Sequence, residues 1–198
     1  MIQRENYMRR IRPFIDKEVI KVLTGFRRSG KSVMLQLIQD ELLMRGAAKE
    51  QIISFNFESM ANAKYSTAET LYEEIAARIS KVSGKAYLFF DEIQEVRDWE
   101  RCINSCQVDF SCDIYITGSN AKLLSGELAT YLGGRYVEFV IYPFSFSEYL
   151  ASRKTSRDIA RGFRSYIEFG GMPFLKNFPD DPNSSLQYLH DLQNSVVL

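Results

Sequence analysis

The chain has 198 residues, 45% hydrophobic and 25% charged, enough to bury one sizeable core and a small second subdomain. Its 25 basic and 25 acidic residues cancel, which excludes the broad basic field typical of a nucleic-acid-binding domain. No apolar run is long enough to cross a membrane, and no signal-peptide pattern opens the chain. These features predict a cytoplasmic globular protein.

The first 18 residues predict a short helix, from about Glu5 to Ile11, that is broken at Pro13. This segment is locally basic, with arginines at Arg4, Arg9, Arg10 and Arg12. We interpret it as a solvated arm, with a partner-binding surface as the alternative.

Residues 19–32 read V-I-K-V-L-T-G-F-R-R-S-G-K-S, an apolar strand and then a loop that matches G-x-x-x-x-G-K-[ST] without a mismatch. The glycines allow a close backbone approach that a Cβ would obstruct. Amides of the loop and of the next helix then converge on a polyanion. Lys31 can reach the β- and γ-phosphates, and the Ser32 hydroxyl can ligate Mg²⁺. The predicted ATP- or ADP-binding residues are Gly25, Arg28, Ser29, Gly30, Lys31, Ser32 and Val33.

A glycine-rich loop with a lysine can also be an ordinary turn. Here an apolar strand precedes it and an amphipathic helix ending near Gly46 follows it, which is the context that a phosphate loop requires. In such proteins the segment before the strand often lies beside the base. Two roles are therefore open for Ile11, Pro13 and Phe14: they form the wall of the pocket beside the base, or they cap the edge of the sheet.

The next segments predict a strand over residues 51–57 with one more polar face, and a helix capped by Thr67. Residues 86–90 are a continuous apolar run closed by Asp91 and Glu92. A carboxylate at the end of a buried strand can hold the Mg²⁺ shell, and this is the role of Asp91. Glu92 is the candidate to orient or activate the attacking water. An acidic strand end is a weak signal alone and a strong one beside a phosphate loop.

Asp98 is the predicted cap of a helix that runs to about residue 110 and buries Trp99. The cysteines are Cys102, Cys106 and Cys112. Three is an odd number, and neither a C-x-x-C pair nor a nearby histidine completes a metal set. The pattern is typical of reduced, half-buried core cysteines in a cytosolic protein.

A fourth strand, residues 113–117, leads into Gly118, Ser119 and Asn120. Many ATPases place a γ-phosphate sensor at this strand tip, which favours Asn120 or Ser119. Both residues also suit the N-cap of a helix over residues 121–131. The two roles are compatible, so both stay open.

Arg135 follows a glycine pair and precedes the fifth strand, residues 136–141. This end of a parallel strand lies opposite the nucleotide edge. Arg135 therefore either serves a neighbouring subunit as an arginine finger or is a surface arginine paired with Glu127 or Glu138.

Residues 144–198 predict a helical lid on a core formed by residues 1–143. Capping boxes are predicted at Ser145-x-x-Glu148 and Ser184-x-x-Gln187, with a further helix over about residues 156–169. The final residues are apolar and carry no helix stop signal. We therefore expect the chain to end before a further domain.

Together, G-F-R-R-S-G-K-S, F-F-D-E-I-Q, T-G-S-N, Y-P-F-S-F-S-E-Y and Y-I-E-F-G-G-M-P resemble the prokaryotic AAA-superfamily predicted ATPases. In these proteins a second conserved C-terminal domain usually follows the ATPase domain. The resemblance implies an α/β P-loop fold: a five-stranded parallel sheet flanked by helices, the loop-bearing strand central, and one strand separating it from that of Asp91.

The resemblance also implies nucleotide roles for Lys31, Ser32, Asp91 and Glu92, with Asn120 as the sensor. Residues 171–173 look similar to the lid G-x-P motif of signalling ATPases, which touches the bound nucleotide.

The leading hypothesis is Mg²⁺-dependent ATP binding and hydrolysis that drives a conformational change. The alternatives are a nucleotide-gated interaction module with slow turnover and, third, a P-loop kinase. Glu92 directly after Asp91 favours water over an organic acceptor, so the kinase ranks last. The expected partners are a protein or nucleic-acid target and a second subunit that receives Arg135.

Overall fold

The structure, a computed structural model, describes residues 1–118, 132–153, 158–178 and 181–197. Its described strands form one sheet in the order β2-β3-β4-β1-β5, with every neighbouring pair parallel. The strands are β1 Ile20–Thr24, β2 Ile52–Asn56, β3 Ala86–Asp91, β4 Cys112–Thr117 and β5 Tyr136–Val140. The α/β fold and the strand between β1 and β3 are confirmed. β1 is interior rather than central, because β4 takes the middle of the sheet.

The helices lie close to their predicted positions. They are α1 Glu5–Ile11, α2 Lys31–Met44, α3 Ala68–Ile79, α4 Trp99–Asp109, α5 Phe146–Arg153, α6 Ile159–Phe169 and α7 Pro182–Val197. α1 ends in a 3-10 turn over Arg12–Phe14, at the predicted proline break. The helix predicted over residues 121–131 lies outside the described residues. Among the described helices, none has the length and apolarity that crossing a membrane requires.

Burial follows the position of each strand in the sheet. All residues of β1 are buried, and β3 and β4 each have one partly exposed residue. Parallel strands covered by helices on both faces are nearly continuous apolar runs for this reason. β2 lies at an edge and shows the predicted polar face, with Ser54 and Asn56 exposed.

Two apolar cores lie on opposite faces of the sheet. On one face, α3 and α4 cover the strands, and the buried residues include Trp99, Cys102 and Cys106. On the other face, α1 and α2 pack against Leu23 and Phe89. The cysteines at positions 102, 106 and 112 are free. Cys102 and Cys106 are fully buried rather than half-buried as predicted, and Cys112 is partly buried.

Two of the predicted helix caps are confirmed. The Thr67 hydroxyl accepts from the Thr70 amide at 3.4 Å, at the start of α3. In the capping box of α5, the Ser145 amide donates to Glu148 Oε2 at 2.9 Å, and the Glu148 amide donates to Ser145 Oγ at 3.4 Å. Each cap satisfies amides that the first helical turn leaves unpaired.

Two other predicted caps are wrong. Asp98 does precede α4, but its backbone is left-handed (φ 56°) and its side chain makes no capping hydrogen bond to the described residues. The box at Ser184 fails because α7 already begins at Pro182. Asp181 caps this helix instead, since its Oδ1 accepts from the Ser184 amide at 3.0 Å. Proline suits the first helical position, where its missing N–H costs nothing.

The segment after β5 is helical, as predicted. Tyr149 of α5 and Ser165 of α6 are joined by a 2.8 Å hydrogen bond between their hydroxyls. Tyr166 donates to the Phe144 carbonyl at 2.9 Å and so ties α6 to the end of the sheet. Its role as a lid and the boundary at residue 143 stay predictions.

A buried ion pair lies inside the sheet, between Lys21 of β1 and Asp113 of β4. Both side chains are fully enclosed. The Asp113 carboxylate also accepts from the Tyr115 hydroxyl at 2.8 Å and from the Asp16 amide at 2.8 Å. Burial lowers the pKa of Lys21, and the carboxylate of Asp113 opposes this shift. Burial and the same carboxylate raise the pKa of Tyr115 well above its usual value.

Replacing Asp113 by Asn should leave the Lys21 ammonium buried without an anionic partner. Breaking such a pair from one side typically costs about 3–5 kcal/mol, and we expect the free energy of unfolding to fall by about 3 kcal/mol. Urea denaturation measures this loss. The double variant Lys21→Met/Asp113→Asn is the control and should recover part of it. A loss below about 1 kcal/mol for Asp113→Asn would contradict this account of the pair.

Candidate nucleotide-binding site

The carboxyl ends of the parallel strands meet at one edge of the sheet, where α/β folds bind their ligands. The phosphate loop leaves this edge after β1, Asp91 ends β3 and Thr117 ends β4. Because β4 lies between β1 and β3, Thr117 stands between the loop and Asp91. The topology therefore brings the two predicted motifs together from distant parts of the chain.

Gly25 begins the loop with a φ of 134°, in the region that favours glycine. A Cβ at this position would lie 2.1 Å from the Ile141 carbonyl oxygen, so the backbone itself fills the space. Gly25 is thus required both for the loop conformation and for its close approach to the end of β5. Gly30 (φ 103°) ends the loop directly before α2.

The remaining loop residues lie between these glycines and the first turn of α2. Arg28 is exposed and left-handed (φ 65°), and its guanidinium carbon lies 5.7 Å from the centre of the Tyr188 ring of α7. Ser32 and Val33 are exposed in the first turn of α2. The amides of this turn have no acceptors within the helix, so they remain available to a ligand.

Lys31 is almost fully buried, with 4% of its surface exposed. Its Nζ donates to the carbonyls of Gly25 at 3.2 Å and Phe26 at 3.3 Å. The same atom lies 3.7 Å from Glu92 Oε1. The ammonium therefore lies between the phosphate loop and the acidic end of β3.

Asp91 is held by the ends of both neighbouring strands. Its Oδ1 accepts from the Thr117 hydroxyl at 2.6 Å, and its Oδ2 accepts from the Asn56 amide group at 3.4 Å. Thr117 in turn accepts from the Glu92 backbone amide at 3.0 Å. One threonine therefore bonds the Asp91 side chain and the Glu92 backbone, and a metal-binding carboxylate would need an outer partner of this kind.

Glu92 has a left-handed backbone (φ 54°), which is uncommon for a residue with a side chain. Its Oε2 accepts from Gln94 Nε2 at 2.6 Å, while Oε1 faces Lys31. The carboxylate is thus fixed beside Lys31 at the end of the phosphate loop.

Sequence reasoning missed Thr117 and Asn56. Each is a polar residue at the end of its strand, and Thr117 directly follows the apolar residues 114–116. At the ligand-binding edge of a parallel sheet, that pattern is a usable signal. The sensor candidates Ser119 and Asn120 lie outside the described residues.

The structure separates the two interpretations of the N-terminal segment. Ile11 is fully buried in the core, and Phe14 packs edge-to-face against Phe139 of β5 at 5.7 Å. These contacts favour the sheet-capping role. The solvated-arm prediction is wrong for Arg4, which is buried, and for Arg12, which pairs with Glu5 and Glu41.

A cleft of about 560 Å³ opens beside the N-terminal segment. Its walls include Tyr7, Tyr142, Phe144, Tyr166 and Gly171. A Cβ on Gly171 would lie 2.1 Å from the Phe144 carbonyl oxygen, so glycine is required there.

The residues present fit a Mg²⁺-nucleotide complex. The Ser29 hydroxyl is fully buried in the loop and has no hydrogen-bond partner among the described residues. A buried polar atom without a partner is costly, and a phosphate oxygen would satisfy it. The Lys31 ammonium could donate to the phosphates, and the Ser32 hydroxyl and Asp91 carboxylate carry the oxygens that a Mg²⁺ ion would need.

Fold and site together define a P-loop ATPase-like domain of the AAA superfamily. The model of an AAA domain family matches residues 17–150, so the chain belongs to this family of nucleotide-binding ATPases. The chain is 44% identical to an uncharacterized protein of Haemophilus influenzae over 201 residues, and this alignment covers 100% of the chain. The chain spans 50% of this relative and 40% of a second curated one.

Solved structures show the same fold at low identity. Aeropyrum pernix ORC1 in complex with DNA is similar with a TM-score of 0.58 and 14% identity, over 79% of this chain and 50% of that one. C. elegans PCH-2 is similar with a TM-score of 0.51 and 16% identity, over 85% of this chain and 48% of that one.

Proposed function

We propose that this domain binds Mg²⁺-ATP, hydrolyses it and couples hydrolysis to a conformational change. The observation that carries the proposal is the convergence of Lys31 and Glu92. Their charged atoms lie 3.7 Å apart, although Lys31 begins the helix after β1 and Glu92 follows β3, which is not adjacent to β1 in the sheet. A site for a polyanion and a base beside it is the arrangement that ATP hydrolysis requires.

In this proposal Lys31 and the loop amides hold the β- and γ-phosphates. A Mg²⁺ ion held by Ser32 and Asp91 would neutralise charge on the same phosphates. Glu92 accepts a proton from water, whose oxygen bonds to the γ-phosphorus as the bond to the ADP oxygen breaks. Asn120 is proposed as the γ-phosphate sensor. The aromatic cleft that contains Gly171 is proposed to receive the base.

A nucleotide-gated module with slow turnover is the second candidate. The observation that favours it is the engagement of Glu92 by Gln94 at 2.6 Å and by Lys31, since a carboxylate held on both oxygens is less available as a base. The two candidates share the binding site and differ in the rate of hydrolysis.

The Lys31→Ala variant tests the binding site. Hydrogen bonds to charged groups contribute about 1.5–3 kcal/mol each, so removing contacts to two phosphates should weaken ATP binding about 100-fold or more. Calorimetric titration measures the affinity. Lys49→Ala, at an exposed lysine before β2, is the control and should bind ATP as the parent does. ATP binding by Lys31→Ala with the parent's affinity would overturn the proposed function.

We further propose that the protein works as a homo-oligomer in which Arg135 acts on a neighbouring subunit. Arg135 is exposed at the amino end of β5 and has no ion-pair partner among the described residues. Five residues of strand separate it from the nucleotide edge, roughly 16 Å. Glu138, one predicted partner, instead accepts from the Thr24 hydroxyl at 2.6 Å, and Glu127, the other, lies outside the described residues.

The macromolecular target is proposed to be a protein or a nucleic acid. The structurally similar ORC1 was determined in complex with DNA, whereas the balanced charge of this chain does not favour a broad nucleic-acid surface. The free cysteines accord with the proposed cytoplasmic location.

A further inference from the structure

Arg4 is a buried arginine in a segment whose charge pattern predicts exposure. Only 2% of its surface is exposed, and its backbone is left-handed (φ 48°) immediately before α1. A buried charge is costly unless it is paired and hydrogen-bonded, so this guanidinium requires partners for its N–H groups.

One side of the guanidinium contacts the phosphate loop. Arg4 Nη1 donates to the Ser29 carbonyl at 3.0 Å. In a trans peptide the C=O and the next N–H point in opposite directions. Anchoring the Ser29 carbonyl therefore orients the Gly30 amide, one of the loop N–H groups that a phosphate would bind.

The other side contacts the chain after β5. Arg4 Nη2 donates to the Tyr142 carbonyl at 2.7 Å and to the Pro143 carbonyl at 3.3 Å. Arg4 Nε lies 3.2 Å from Glu148 Oε1, and Glu148 Oε2 also accepts from the Ser145 amide in the capping box of α5. One guanidinium thus joins the phosphate loop, the end of the sheet and the first helix after it.

Two aromatic rings hold the guanidinium in place. Its central carbon lies 4.6 Å from the centre of the Tyr7 ring and 5.3 Å from that of Phe144. Both rings also line the cleft that we propose for the base. Cation–π contacts of this kind add to the hydrogen bonds and restrict the orientation of the planar group.

We propose that Arg4 is a positioning residue for nucleotide binding, which orients the Ser29–Gly30 peptide and, through Glu148, ties that orientation to α5. The proposal rests on the proposed nucleotide-binding function. Because Glu148 neutralises the charge of Arg4, Arg4 contributes to nucleotide binding by fixing the geometry of the loop and not by adding positive charge there.

The Arg4→Lys variant separates geometry from charge. Lysine keeps the charge but cannot reproduce the planar fork that reaches Ser29, Tyr142 and Glu148 together. We expect ATP affinity to fall about tenfold or more, as for the loss of one charge-assisted hydrogen bond. Arg12→Lys is the matched control, since Arg12 is another ion-paired arginine of the N-terminal segment but contacts Glu5 and, on α2, Glu41 instead of the loop. It should bind ATP as the parent does.

The Glu148→Gln variant tests the tie to α5. Glutamine also serves in a capping box, so the helix start is retained while the ion pair is lost. Glu148 makes its contacts to Arg4 and Ser145 and not to the loop, yet we expect ATP affinity to fall several-fold. If both residues act through one route, Glu148→Gln should cause no further loss in the Arg4→Lys background.

Affinities are measured by titration well below the thermal midpoint of each unliganded protein, so that only folded protein is compared. Parent affinity in both Arg4→Lys and Glu148→Gln would overturn the proposal and leave Arg4 a structural contact. If Arg4→Lys loses ATP affinity while Glu148→Gln keeps that of the parent, or if the losses add in the double variant, the tie to α5 is overturned. If Arg4→Lys does not fold, Glu148→Gln decides the question. Failure of the proposed function is a separate result, because the parent itself would then not bind ATP.

Discussion

We expect the Arg135→Ala protein to hydrolyse ATP about 10³–10⁵-fold more slowly than the parent, while its ATP affinity stays unchanged. This is the rate contribution of an arginine that stabilises charge on the transition state of phosphoryl transfer. Arg135 lies at the amino end of β5, opposite the phosphate loop, so it would act on the nucleotide of a neighbouring subunit. Phosphate release at saturating ATP measures the effect.

A mixing experiment tests whether the arginine acts between subunits. Lys31→Ala subunits should bind ATP about 100-fold or more weakly but still carry Arg135. At an ATP concentration that fills only the sites with Lys31, adding them to Arg135→Ala protein should restore turnover. Arg101→Ala is the control, because that arginine is exposed on α4 and forms a surface ion pair with Glu69. Normal hydrolysis by Arg135→Ala, or a rate per subunit that does not depend on concentration, would refute the finger.

For the Glu92→Gln protein we expect ATP to bind normally and turnover to fall about 10²–10⁴-fold. This range is typical for the loss of a general base, and glutamine keeps the shape and hydrogen-bonding capacity of the side chain. Single-turnover measurements should show ATP persisting on the protein. Glu95→Gln makes the same substitution at an exposed neighbour and should leave the rate unchanged.

The same variant separates the two candidate functions. If the domain is a nucleotide-gated module, the parent already hydrolyses ATP slowly and Glu92→Gln changes the rate little. If the domain is an ATPase, the difference between parent and variant is large. Turnover of Glu92→Gln at the rate of a fast parent would remove Glu92 from the role of base.

Features that depend on a few consecutive residues were predictable from the sequence. The phosphate loop requires glycine at positions 25 and 30 and an ammonium at Lys31, and all three lie within seven residues. The buried strand that ends in Asp91 is likewise a local pattern of apolar residues. The alternation of strands and helices then predicts a parallel sheet, which brings both motifs to one edge.

Features that depend on backbone acceptors were not predictable. Arg4 is buried because the carbonyls of Ser29, Tyr142 and Pro143 meet around its guanidinium. Every residue has a backbone carbonyl, so residue type does not indicate which carbonyls will act as acceptors. The charge pattern therefore favoured a solvated arm. Asp98 shows the same limit at short range, because its left-handed backbone decides against a side-chain cap that its residue type favours.

By itself the sequence determined the phosphate-loop motif and the buried strand that ends in Asp91 and Glu92, since each is a local pattern of residues. Only the tertiary structure decided how these groups are held. Thr117 lies 26 residues from Asp91 and bonds it at 2.6 Å, and Arg4 lies 25 residues from Ser29 and bonds it at 3.0 Å. The physical reason is that such contacts arise from the packing of separate elements, where sequence distance no longer limits which atoms meet.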